Sequence, residues 1–90
     1  MSNRFRERQA ELEPSRVQYA IEQLMGLGYE VERLTGLGEI ADQHNTRVLR
    51  FSHKGSPVMF YPYTGWHTGK TIKDGRGIHK LLKQLNKQLL

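Results

Sequence analysis

The segment 65–77 combines glycines with basic side chains in a pattern that suits the binding of anions. It contains four glycines, and Lys70, Lys73 and Arg76 lie among them. A glycine-rich loop that leads into a helix presents free backbone amides and the positive end of the helix dipole, and both attract phosphate. The pattern therefore predicts that this segment contacts phosphate groups.

Nucleotide hydrolysis is a different chemistry, and the spacing of the segment excludes it. A phosphate-binding P-loop needs four residues between its first glycine and the Gly-Lys pair, because the loop must wrap a phosphate with successive amides. Here three residues separate Gly65 from Gly69-Lys70. The chain also lacks the strand pattern of a parallel sheet, which a P-loop domain requires. We therefore do not expect a nucleotide hydrolase.

The last predicted helix continues the basic pattern. Lys80 and Lys83 fall on one face of it, and no acidic residue follows Asp74. A helix face that served only solvation would normally mix glutamate with lysine. We predict phosphate contacts from eight residues, five in the glycine-rich segment and the last helix and three from the sheet: Lys70, Lys73, Arg76, Lys80, Lys83, Arg47, Arg50 and Lys54.

The charges of the chain are separated along the sequence. Residues 1–42 hold five basic and eight acidic side chains, a net charge of −3, whereas residues 43–90 hold nine basic side chains and one acidic one, a net charge of +8. The two halves together give the +5 of the whole chain. A field of one sign attracts polyanions, and a nucleic-acid backbone is the commonest of them. The other explanation of a basic half is solubility alone.

All four histidines lie in the basic half. A well-placed histidine can act as general acid or base in RNA cleavage, although most histidines of this kind are surface residues. Their spacing matches no metal-binding motif, and the chain has no cysteine. We therefore predict neither a metal site nor a cofactor.

Three aromatic residues lie close together in the sequence just before the basic loop. Tyr61, Tyr63 and Trp66 would provide a surface for base stacking or for protein docking if they are exposed together. Packing against the core is the alternative role of Trp66, the single tryptophan of this small chain.

Apolar periodicity predicts the elements that position these residues. Residues 1–13 are polar and are interpreted as a flexible or partly helical tail, and residues 14–90 as one domain. Apolar residues recur with helical spacing between Val17 and Leu24, and the glycines that follow predict the end of that helix. Alternation predicts three strands, at 29–33, 47–51 and 57–61. Leucine spacing predicts a final helix from Ile78.

The predicted fold class is α+β, with the element order α-β-β-β-α. In this arrangement a three-stranded antiparallel sheet carries two helices packed on one of its faces. The segment 63–77 is predicted to be a loop because it is too rich in glycine for an ordinary helix or strand. The segment 35–45 contains two glycines and shows weak periodicity, which predicts a long loop or an irregular extension of the first strand.

This element order resembles the double-stranded RNA-binding domain and, more closely, the HicA-type toxins, which are small messenger-RNA interferases of the same fold. Three segments carry the resemblance: the exit from the first helix at Leu24–Val31, the hairpin Phe51–Phe60, and the glycine-lysine loop with its closing helix, Gly69–Leu85. The resemblance implies an endoribonuclease whose catalytic histidine would be His44. That family has Gly-Ser before the histidine, whereas this chain has Asp42-Gln43.

The sequence favours a small basic protein that binds nucleic acid, RNA rather than DNA, through the segment 65–77 and the last helix. One alternative is a HicA-like ribonuclease. Another is an interaction module that binds or inhibits an acidic protein, or that forms a homodimer. The chain has no apolar run long enough for a membrane span, and its N-terminus is polar. We therefore expect a cytoplasmic protein without membrane contacts.

Overall fold

A computed structural model of the protein describes residues 15–89. The tail predicted for residues 1–13 lies outside the described residues. Within the described part, two helices and five strands follow one another along the chain. Their bounds are 15–26 for α1, Glu32–Leu34 for β1, Val48–His53 for β2, Ser56–Tyr61 for β3, Trp66–Gly69 for β4, Gly75–Arg76 for β5 and Ile78–Leu89 for α2.

Helix α1 forms because its apolar residues share one face. The four residues whose spacing predicted the helix are all buried: Val17, Ala20, Ile21 and Leu24. The helix is followed by a turn in which Gly28 has a positive φ of 96° and its amide donates to the Met25 carbonyl at 2.9 Å. A residue with a side chain is strained in that conformation, so glycine suits this helix end.

The five strands form one antiparallel sheet in the order β1-β2-β3-β4-β5. The α+β class and the terminal positions of the two helices are confirmed, but the predicted three-stranded sheet is wrong. Strands β4 and β5 lie in the segment that was predicted to be a loop. The error arose because glycine normally weakens a strand, whereas two glycines here permit close packing.

Gly69 and Gly75 are those two glycines. A Cβ atom on Gly69 would lie 3.0 Å from Val58 Cγ2 and 3.1 Å from the Pro57 carbonyl oxygen. A Cβ atom on Gly75 would lie 3.2 Å from Nε2 of His67. Both positions thus lie against neighbouring strands, and the absence of a side chain lets those strands approach.

One hydrophobic core lies between the sheet and the helices. Leu49 pairs with Phe60 and Phe51 with Val58 across β2 and β3, and all four side chains are buried on the same face. They belong to one cluster with the buried residues of both helices, among them Leu81 and Leu85 of α2. Both helices therefore pack on this face of the sheet.

The opposite face, which we call the open face, has a different composition. The register aligns Leu34 with Val48 there, and both are buried outside the main cluster. Farther along, the open face carries charged and aromatic side chains, including Trp66, which is 38% exposed. Neither helix is long and apolar enough, within the described residues, to cross a membrane.

Candidate nucleic-acid interface

Four lysines from two separate segments meet at one groove beside α2. Lys70 and Lys73 come from the loop between β4 and β5, and Lys80 and Lys83 come from the first two turns of α2. All four side chains are exposed, and the groove that they line has a volume of about 830 Å³. We call it the basic groove. The structure thus brings together four of the eight residues predicted to contact phosphate.

The loop of the basic groove is fixed to α2 by one side chain, Gln84. Its Oε1 accepts a hydrogen bond from the Lys73 amide at 2.7 Å, and its Nε2 donates to the Lys73 carbonyl at 3.2 Å. This pair of bonds gives both backbone groups of Lys73 a partner on the helix. The two lysine-bearing segments are therefore connected directly.

Asp74 is the single acidic residue of the groove lining, and it has a structural partner. Its Oδ1 accepts from the Gly69 amide, with a separation of 3.4 Å, across the loop. No groove lysine makes an ion pair with another described side chain; the one such pair among the side chains of residues 15–86 joins Arg50 to Glu32. The groove therefore keeps an excess of positive charge.

His67 lies at the base of the basic groove. It is on the helix-facing side of β4, opposite Phe60 and Gly75 in the strand register, and is only 1% exposed. Its Nε2 lies 3.4 Å from Nε2 of Gln84. A neutral ring nitrogen of His67 can accept the remaining amide proton of Gln84. Gln84 therefore links the loop, the helix and the sheet.

Burial lowers the pKa of His67 below its ordinary value. The Gly65 carbonyl and the Asp74 carboxylate oppose this shift, whereas the charge of Lys80 adds to it. The imidazole is therefore neutral at pH 7. A neutral buried ring suits a structural hydrogen bond and adds no charge to the groove.

The other four predicted phosphate contacts do not line the basic groove. Arg76 lies on the open face, because β5 places it opposite Trp66. Arg50, also on the open face, pairs with Glu32 at 3.1 Å. The Arg47 guanidinium lies 4.7 Å from the centre of the Tyr63 ring and donates to its hydroxyl. Lys54 occupies the β2–β3 turn, where its φ is 53°.

His44, the predicted catalytic residue, lies in an exposed turn and is not part of the groove lining. Its amide donates to Oδ1 of Asp42 at 2.7 Å, and the Asn45 amide donates to the same oxygen at 3.2 Å. The bond from the His44 amide is the main reason why the pKa of Asp42 is lowered. Asp42 thus shapes this turn, as aspartate commonly does in loops.

The remaining histidines have separate surroundings. His53 is buried at the end of β2, with Nδ1 2.7 Å from the Tyr29 hydroxyl. His79 is exposed on α2, and its ring centre lies 6.1 Å from that of Tyr19. No group of three potential metal ligands occurs among the described residues.

The structure places the three aromatic residues predicted to stack or dock on β3, on β4 and in the turn between these strands. Tyr61 and Trp66 are paired in register on the open face. Tyr63 lies in the turn between their strands, where it contacts Arg47. Stacking or docking by the three together stays a prediction, and Tyr61 and Trp66 are neighbours on the open face.

Sequence reasoning did not identify His67 and Gln84 as a pair. A possible signal was the alternation Trp66-His67-Thr68, which marks a strand with His67 on the inner face. The glycines on both sides hid that alternation. No sequence signal indicated that Gln84 bonds to the Lys73 backbone, because this contact depends on how the loop meets the helix.

A comparison of the chain with known protein families, with curated proteins and with solved structures finds no match. The resemblance to HicA-type toxins therefore stays a prediction. The function of a fold depends on the geometry and charge of its site.

Proposed function

We propose that the protein binds nucleic acid, RNA in preference to DNA, in the basic groove. The observation that carries this proposal is the convergence of Lys70 and Lys73 with Lys80 and Lys83 on one groove that has a single acidic lining residue. A phosphate backbone neutralises such a cluster and releases its own counterions, which supplies most of the affinity in sequence-independent binding.

The four lysines of the basic groove repel one another, so a bound anionic ligand explains their clustering better than solvation does. Like charges on neighbouring side chains raise the free energy of the unbound protein. A solvated surface usually relieves this by mixing acids with bases, but Asp74 is turned toward the Gly69 amide. A bound polyanion would relieve the repulsion of all four lysines at once.

The preference for RNA rests on the resemblance to RNA-binding domains and HicA-type toxins. Lysine contacts to phosphate do not by themselves distinguish RNA from DNA. The ribonuclease alternative requires an accessible catalytic histidine; His44 does not line the basic groove, and His67, which does, is only 1% exposed. Simple binding, without cleavage, is therefore the function that we propose.

The test is fluorescence anisotropy of labelled single-stranded RNA, duplex RNA and duplex DNA, each over a series of salt concentrations. The double variant Lys70→Gln/Lys73→Gln should bind RNA more weakly than the wild type. Each phosphate contact to a single strand contributes about 0.7 to the slope of log K against log salt, so the slope should fall by about 1.4. A gel of the RNA afterwards should show intact strands.

The matched control is Arg16→Gln/Arg33→Gln, which removes the same charge from positions on α1 and β1 outside the groove. Both double variants lower the net charge from +5 to +3. Equal losses of affinity in the two would mean that net charge, and not the basic groove, governs binding. Cleaved RNA would favour the ribonuclease, and absence of binding at low salt would direct attention to an acidic protein partner.

A further inference from the structure

Three side chains form a row across the last three strands of the open face. The register pairs Tyr61 of β3 with Trp66 of β4, and Trp66 with Arg76 of β5. Trp66 is 38% exposed, and Arg76 is exposed too. A tryptophan that is 38% exposed beside an exposed arginine offers a ligand both an aromatic surface and a positive charge.

This row is close to the basic groove although it lies on the other face of the sheet. Consecutive strand residues point to opposite faces, so Trp66 faces the open side while His67, the next residue, lies at the base of the groove. In the same way Gly75 lines the groove, and Arg76 points to the open face. Only the two-residue edge strand β5 separates the two surfaces.

We propose that an unpaired base of single-stranded RNA stacks on Trp66, with an adjacent phosphate against Arg76, while the strand continues around β5 into the basic groove. This inference rests on the proposed function, because it extends the same ligand from one face to the other. An indole ring and an unpaired base offer flat π-faces of similar extent, and arginine contributes a charge to the neighbouring phosphate.

Base stacking also predicts a preference among nucleic acids. In a duplex the bases are already stacked on one another and paired, so their faces are not available to Trp66. A single strand can turn a base outward at little cost. We therefore expect single-stranded RNA to bind more tightly than duplex RNA, although the duplex has the higher charge density.

A second copy of this chain that docks row against row is a less suitable occupant. It would have to supply a negative charge to Arg76, and the row itself contains no acidic residue. The acidic residue of the adjacent row, Glu32, is already paired with Arg50. A single strand supplies both the aromatic surface and the negative charge.

The experiment exploits the fact that Trp66 is the only tryptophan of the chain. Oligouridine and inorganic polyphosphate are each titrated into the wild-type protein, and tryptophan emission is recorded alongside competition with labelled RNA. Both polyanions should compete, but only oligouridine, which has bases, should quench the emission of Trp66.

Variants then separate stacking from charge. Trp66→Ala should lower the affinity for oligouridine about tenfold and leave the affinity for polyphosphate within about twofold. Trp66→Phe should restore most of the loss, because phenylalanine also stacks. Tyr19→Ala, which removes an exposed aromatic ring from α1, should change neither affinity. Circular dichroism of each variant checks that the fold is retained.

Three results would overturn the inference. Equal quenching by polyphosphate would mean that no base is needed, and equal losses for both ligands in Trp66→Ala would assign the residue a structural role. A wild-type dimer that Trp66→Ala converts to a monomer would identify the row as an interface between copies. Failure of both ligands to compete would instead contradict the proposed function, so the two failures are distinguishable.

Discussion

Gln84 is the residue that joins the two lysine-bearing segments of the basic groove. Its amide bonds to both backbone groups of Lys73 and approaches His67. An intramolecular hydrogen bond contributes roughly 0.5–1.5 kcal/mol, so the two exposed bonds to Lys73 favour the position of the loop on α2. Gln84 needs no contact with the ligand to affect binding.

We therefore predict that Gln84→Leu frees the loop and weakens binding. The amide of Lys73 should exchange its hydrogen faster, because its acceptor is gone. The affinity for RNA should fall several-fold without loss of any positive charge. Hydrogen exchange and anisotropy measure the two effects, and Asn86→Ala, an exposed change on the same helix, is the control. Unchanged exchange at Lys73 would contradict this role of Gln84.

At the scale of the elements, the position of β4 against β3 depends on Gly69. A methyl group there would meet the Val58 side chain and the Pro57 carbonyl oxygen at 3.0 and 3.1 Å, and the Val58 Cα at 3.3 Å. Two of these atoms belong to the backbone and cannot yield without moving the strand. The close approach of the strands thus explains a glycine that looked like a loop residue.

Gly69→Ala should accordingly lower the free energy of unfolding by about 1–3 kcal/mol, the usual cost of overpacking. Gly26→Ala is the matched control, since a Cβ atom there would meet nothing within 4 Å and the residue ends a helix. Alanine favours a helix over glycine, so this change should be neutral or slightly stabilising. Urea unfolding measures both, and equal effects would contradict the packing argument.

The same elements show which features could be predicted from the sequence. The helices and the strands β2 and β3 were predictable because burial imposes a pattern on them, whereas β1 overlaps the predicted strand 29–33 in only two residues. Strands β4 and β5 were not, because Gly69 and Gly75 serve contacts that the sequence does not reveal. That error also misplaced Arg76: in a loop it would join the lysines, whereas a two-residue strand turns it to the open face.

At the scale of the whole molecule, charge is distributed between the two ends of the sheet. The β1 side carries exposed acids in and around its strand, such as Glu30 and Glu39, and the β5 side carries the basic groove. Such a separation orients the protein in the field of a polyanion before contact. The acids on the β1 side also repel the polyanion, and this repulsion slows association.

Neutralising the acidic end should therefore change the rate of association and not the rate of dissociation. Glu30→Gln/Glu39→Gln raises the net charge from +5 to +7. Both sites lie near β1, at the edge of the sheet opposite to β5 and the basic groove. Stopped-flow measurements with single-stranded RNA at low salt should show association faster by about twofold, and the difference should vanish at high salt, where long-range fields are screened. A changed dissociation rate would mean that RNA touches the β1 side in the complex. In that case the bound strand would extend across the sheet, beyond the groove and the row that contains Trp66.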